Sequence, residues 1–194
     1  MGFAITWCAV REEGAEKFLQ KLGLAPTGET EEFPESLIAS GMRDTGWRVI
    51  YYNKYGCPFI TPQHLTKLSI DQDAILCLVE EHAMASSSEL WSGGKRQWYL
   101  SREGENGPKG LSVGGHPPES LTAIRQEMEA LQLAAGGDDA QVDYIFEIPL
   151  KIAQSIVGFK HDEKCDHLIG GHYVVMTRIA PNTSLLSRLF GISN

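Results

Sequence analysis

The chain predicts an α+β fold: an antiparallel, meander-containing sheet with several helices packed against it. Three features carry that expectation. Short apolar runs with β-branched and aromatic content, FAITWCAV at 3–10 and AILCLV at 74–79, have the length and composition of strands. The dipeptides Gly93-Gly94 and Asn106-Gly107 stand between further strand-like runs, where such pairs make tight hairpin turns. Elsewhere, apolar residues recur at helical spacing.

In chain order, the 3–10 run reads as a first strand. A helix follows in which Ala15, Phe18, Leu19 and Leu22 share one face and Gly23 supplies the stop. Leu24 to Glu35, with Pro26, Gly28, Pro34 and four acidic residues, reads as an exposed loop. GWRVIYYNKY at 46–55 is strand-like behind the turn Asp44-Thr45-Gly46. A short helix then has Thr61 as cap, Pro62 at its first position, and Leu65 and Leu68 inward. AILCLV is apolar at every position, as a strand covered on both faces requires. The meander runs through Glu89 to Trp91, RQWYLS at 96–101 and Leu111 to Val113. Beyond Pro117 and Pro118, a helix places Leu121, Ile124, Met128 and Leu131 on one stripe and ends at Gly136-Gly137. VDYIFEI at 142–148 is strand-like and leads into Pro149, with a helix carrying Leu150, Ala153 and Val157 behind it and Gly158 as its stop. His172 to Ile179 gives a last strand. Residues 1–180 thus make a single α+β domain. Residues 181–194, with Leu185, Leu186, Leu189 and Phe190, make an amphipathic tail expected to dock on the protein's own core.

Composition narrows the function. An apolar fraction of 42% and a charged fraction of 22% are those of a folded globular chain. A net charge of −8 argues against a broad basic surface for duplex DNA or anionic lipid, and points toward a basic partner or simply toward solubility, the ordinary role of moderate net charge. No run approaches the roughly 18 apolar residues that cross a bilayer, so no membrane partner is expected. The start Met1-Gly2-Phe3-Ala4-Ile5-Thr6 fits the loose N-myristoylation pattern, but it reads better as the first strand and no polybasic segment follows. Cys8, Cys57, Cys77 and Cys165 are far apart, with no C-x-x-C pair and no secretory leader, which suits free thiols in a reducing cytoplasm.

Three constellations can carry chemistry. His161, Cys165, His167 and His172 form H-x3-C-x-H-x4-H, a set of nitrogen and sulfur donors that a compact loop could bring to one zinc ion at about 2.0 to 2.3 Å. A solvated helix-to-strand connection accounts for the same residues. Glu80, Glu81 and His82 prolong a buried strand, where partial desolvation of a carboxylate beside an imidazole can prepare a general base. Trp91, Arg96 and Trp98 give the meander a basic and aromatic character suited to a binding surface, although Trp98 fits a core anchor better. Asp143 and Glu147, four apart on a strand, would lie roughly 13 Å from one another, too far to act as a pair. The Ser86-Ser87-Ser88 hydroxyls have no activating base in the sequence pattern, and the common hydrolase, nucleotide and dinucleotide signatures are absent.

VEEHAMASSSELWSGGKRQW at 79–98 and VDYIFEIPLKIAQSIVGFKHDE at 142–163 resemble a group of small bacterial proteins without an established activity. The resemblance covers much of the chain after about residue 40. It implies a bacterial cytosolic protein and brings no catalytic residues with it. Two functional expectations follow. One is a non-enzymatic domain that binds a basic protein partner, such as a toxin-neutralising immunity protein, with an acidic segment at Glu29 to Glu35 as one contact. The other is a small metal-assisted hydrolase, which requires the His/Cys segment to meet Glu81 and His82 in one pocket across about eighty residues. Nucleic-acid binding by the basic meander is a third, weaker option.

Overall fold

The structure is a computed structural model that describes residues 2–104, 110–162 and 167–179. Its framework is β1 (Ala4–Arg11), α1 (Glu12–Leu22), β2 (Leu24–Glu31), β3 (Ile38–Met42), β4 (Trp47–Tyr52), α2 (Pro62–Leu68) and β5 (Ala74–Glu80). It continues through β6 (Ala85–Ser92), β7 (Lys95–Arg102), β8 (Leu111–Gly115), α3 (Ser120–Ala134), α4 (Glu147–Val157) and β9 (Tyr173–Arg178). The nine strands form one open sheet in the order β2-β9-β3-β4-β1-β5-β6-β7-β8, and every neighbouring pair is antiparallel. This is the expected α+β class, with the meander at β5 to β8.

Helices cover both faces, which is why the central strands are apolar at successive positions rather than alternate ones. In β1, Ile5, Trp7 and Ala9 enter a core shared with α3 and α4, whereas Cys8 and Val10 enter a second core under α1 and α2. The register carries this division across the sheet. Trp7 lies opposite Tyr51 and Cys77 on one face, and Cys8 lies opposite Ile50 and Leu76 on the other. On β6 the face toward α4 presents Ser86 and Ser88, both buried, and their small side chains leave room for the helix.

Two helix ends explain local sequence. Gly23 ends α1 at φ 65°, in the left-handed region that favours glycine, and its N–H bonds the Gln20 carbonyl. At the end of α4, Gly158 at φ 74° plays the same part, while the buried Arg43 donates to the Gly158 carbonyl and Thr45 Oγ1 to that of Val157. A cation on the last carbonyls also complements the helix dipole.

Two expectations need correction. The segment from Leu24 is no loop: Leu24–Glu31 is an edge strand paired with β9, with a register shift between Pro26 and Thr30. Its polar sequence lacks alternation because most of its side chains are exposed, and only the distant β9 supplies hydrogen-bond partners. Proline, the bulge and the acidic residues are features that keep an edge strand from pairing with other chains. The VDYIFEI segment is not a strand. Residues 141–146 form bends and turns, and α4 already begins at Glu147, so Pro149 lies within its first turn. β3, with the weakly patterned sequence IASGM, was not anticipated.

Candidate functional site

The last strand residue of β5 is followed by the tight turn Glu81 to Met84, closed by the Met84 N–H on the Glu81 carbonyl. Met84 takes φ 48°, an uncommon conformation for a side-chain-bearing residue, and Gly104 packs closely enough that an added Cβ would lie 2.6 Å from the Ala83 carbonyl oxygen. This turn forms one wall of a cleft of about 840 Å³. Glu127, Met128 and Leu131 of α3 form a second wall, and Val142, Asp143, Tyr144 and Phe146 with Glu147 and Lys151 of α4 a third. Lys160 and Gly2 complete the lining. Leu131 and Val142 stand at the mouth, 40% and 53% exposed.

The third wall has no regular structure before Glu147, yet buried polar side chains fasten it. Ser86 Oγ donates to the Phe146 carbonyl at 2.7 Å. Gln132 bridges it, donating to the Gly137 carbonyl at 2.7 Å and accepting the Tyr144 N–H at 2.8 Å. Asp143 accepts the Phe146 N–H through Oδ1 and the Arg102 guanidinium through Oδ2, with Arg102 only 3% exposed. Side chains held this way preorganise a binding wall. The same turn brings Asp143 and Glu147 into one cleft, in place of the 13 Å separation that a strand would impose.

At the floor, Glu81 uses both oxygens. Oε2 accepts the Phe3 N–H at 2.8 Å, and Oε1 faces His161 Nε2 at 3.4 Å. The His161 side chain is 1% exposed, with Phe3 edge-on at 4.9 Å between ring centroids. Burial foremost pulls the His161 pKa below its ordinary value, against the opposing pull of Asp162 and Glu81. The imidazole is thus neutral at pH 7. Its Nδ1 has no hydrogen-bond partner among the described residues, which assigns the ring proton to Nε2, facing Glu81. Lys160 Nζ lies 3.0 Å from both Glu147 and Asp162. Burial lowers the Lys160 pKa, but the two carboxylates outweigh it and the net shift is upward. The Glu147 contact is an ion pair by distance rather than a well-aligned hydrogen bond.

The sequence-derived candidates scatter. Glu81 and His82 line the cleft, and Glu80 holds the His82 ring at 3.0 Å beside it. Trp91 and Trp98 are buried in opposite cores, because the register shift between Leu90 and Trp91 and the strand alternation send them to different faces. Trp91 Nε1 is satisfied by Glu89 at 2.7 Å. Arg96 is exposed, pairs with Glu89 and stacks over Tyr99. Of the zinc candidates, His161 lies behind Glu81, His167 is 3.6 Å from Asp44 and largely exposed, and His172 bonds the Gly170 carbonyl. Cys165 lies outside the described residues, as does the tail at 181–194. Among the described residues, no group of three or more His, Cys, Asp or Glu side chains is arranged to hold a metal ion. Glu127, Lys151 and Lys160 carry no signal of a site in the sequence, and Asp143 and Glu147 are set aside there because a strand would hold them apart. It is the turn at residues 141–146 that brings Asp143 to the same cleft as Glu147, and the strand-like composition masks that turn.

Among the described residues, no helix is long and apolar enough to cross a membrane. No family model, curated protein or solved structure matches the chain.

Proposed function

We propose that this protein is a non-enzymatic binding domain of the bacterial cytoplasm that engages a protein partner through the cleft between α3, α4 and the β5–β6 turn. The carrying observation is the exposed apolar pair Leu131 and Val142 at the mouth of a cleft whose wall is fixed by buried hydrogen bonds. Apolar residues left exposed beside a preformed apolar cavity with a charged rim mark interaction sites. The three described cysteines are buried free thiols, which suits a reducing compartment. An inhibitor such as a toxin-neutralising immunity protein needs only this kind of surface and a net charge opposite to its target, and the chain carries −8. The experiment is photo-crosslinking in a native lysate with the reactive residue placed at Val142, and at Lys67 on exposed α2 as control. A single stoichiometric adduct at position 142 alone is expected. No adduct, or the same adducts at both positions, would sink the reading.

One observation favours the alternative, a small metal-assisted hydrolase. His161 of the His/Cys segment reaches Glu81 although 80 residues apart, which is one of the contacts that reading calls for. Elemental analysis of untagged protein beside its His161→Phe variant tests it: near-stoichiometric zinc lost in the variant would favour the hydrolase, and equal metal content in the two would remove it.

A further inference from the structure

Resting on the binding reading above, we infer what the cleft accepts: an apolar side chain that a protein partner presents next to a cationic one. The apolar group enters between Met84, Met128, Leu131 and Val142, and the cation pairs with Glu127 at the rim, with the Glu81 carboxylate at the floor adding to the negative field. Size, lining and charge each contribute to this assignment.

A volume of about 840 Å³ lies within the range of roughly 300 to 1,000 Å³ typical of ligand pockets, large enough for two or three side chains. Methionine contributes twice to the lining, and its unbranched, polarisable side chain adapts to different apolar shapes. Charge selects the flanking group. The lining holds Glu81, Glu127, Asp143 and Glu147 against Lys151 and Lys160. Arg102 already offsets Asp143, and Lys160 is shared between Glu147 and Asp162. An anionic ligand would meet four carboxylates against two lysines, with Lys160 already shared, whereas a cation meets Glu127 on the exposed face of α3 without breaking any described ion pair. The field of the whole chain, at −8, has the same sign. Glu81 is 30% exposed in its side chain, so it can face the ligand while holding Phe3.

The test uses three blocked tetrapeptides and the isotope-labelled full chain in low salt, with amide shifts followed by NMR. The first peptide has leucine and phenylalanine between two lysines; the second replaces the lysines with glutamates; the third replaces the apolar pair with alanines. Saturable shifts at Glu127, Leu131 and Val142 are expected with the first, with binding at least about tenfold weaker for the other two. Glu127→Lys, on an exposed helix face, should weaken the first peptide about fivefold or more and leave the amides of the β1 core unshifted. Equal or tighter binding of the glutamate peptide overturns the charge assignment, and shifts outside the cleft, or none, overturn the occupant. A specific crosslink at position 142 together with either result would leave the binding reading standing while this inference fails.

Discussion

Removing the Asp143 carboxylate while leaving Arg102 in place is the perturbation that best isolates how the cleft wall is held. Arg102 is 3% exposed and Asp143 18%, and Asp143 also accepts the Phe146 N–H. Asp143→Ala takes the carboxylate from a buried guanidinium, which keeps its bond to the Glu103 carbonyl, and strands one backbone donor at the start of α4. Breaking a buried ion pair from one side costs about 3 to 5 kcal/mol. Since Asp143 is partly solvated, the lower end applies, about 3 kcal/mol. With a urea dependence of about 2 kcal/mol per molar, the unfolding midpoint should fall by about 1.5 M. The double variant Arg102→Met, Asp143→Ala removes the stranded charge as well and should recover at least about 1 kcal/mol of that loss. Equilibrium urea unfolding followed by tryptophan fluorescence measures all the variants, with Arg102→Met alone completing the cycle. A midpoint shift below about 0.5 M for Asp143→Ala, or a double variant as unstable as the sum of the two singles, would refute the assignment of the pair to the wall.

Three other expectations are open to direct measurement. Trp91→Ala and Trp98→Ala should each cost about 3 to 5 kcal/mol, because each empties a core on one face of the sheet, and a loss under about 1 kcal/mol by thermal or urea unfolding would return either residue to a surface role. The pKa of His161 is lower in the folded state than its ordinary 6.5, so the unfolded chain takes up this proton first as pH falls. Its contribution is complete above about pH 6.5 and is lost below it, so unfolding free energy measured down to pH 5 should fall less steeply in His161→Phe than in the parent. Burial raises the thiol pKa of Cys57 to about 11 and those of Cys8 and Cys77 further. Iodoacetamide at pH 8 should therefore leave all three unmodified in the folded protein and alkylate them in urea, as read by peptide mass spectrometry.

The two-sided sheet also accounts for where the cleft lies. The core on the face of α3 and α4 takes its apolar residues from β1, β4 and β5 and from α4 itself. α3 contributes only Met128 and Gln132 as buried residues, so its remaining apolar stripe is left half covered. Leu131 was expected on the inward stripe of that helix, and it is on the cleft edge for this reason. Gln132, on the adjacent position, is buried to serve the backbone of the neighbouring wall rather than the core.

Local pattern by itself determined most of the elements. The strand at Ala74–Glu80, the hairpin at Gly93-Gly94, the helices ended by Gly23 and Gly158, and Pro62 at the start of α2 follow from side-chain periodicity and from backbone conformations that few residues adopt. Those effects act within a few residues and can be read along the chain. Tertiary structure alone decided the rest. β2 is a strand because β9, some 150 residues later, pairs with it, and residues 141–146 turn because Asp143, Ser86 and Gln132 satisfy their backbone there. The candidate site is of the same kind. Glu81 was visible as a carboxylate at the end of a buried strand, but its partner His161 is 80 positions away, and the cleft arises only where a strand end, two helices and a turn converge. Hydrogen bonds and ion pairs between distant segments leave no periodic trace in the sequence, because each needs only two compatible side chains and the fold to bring them together.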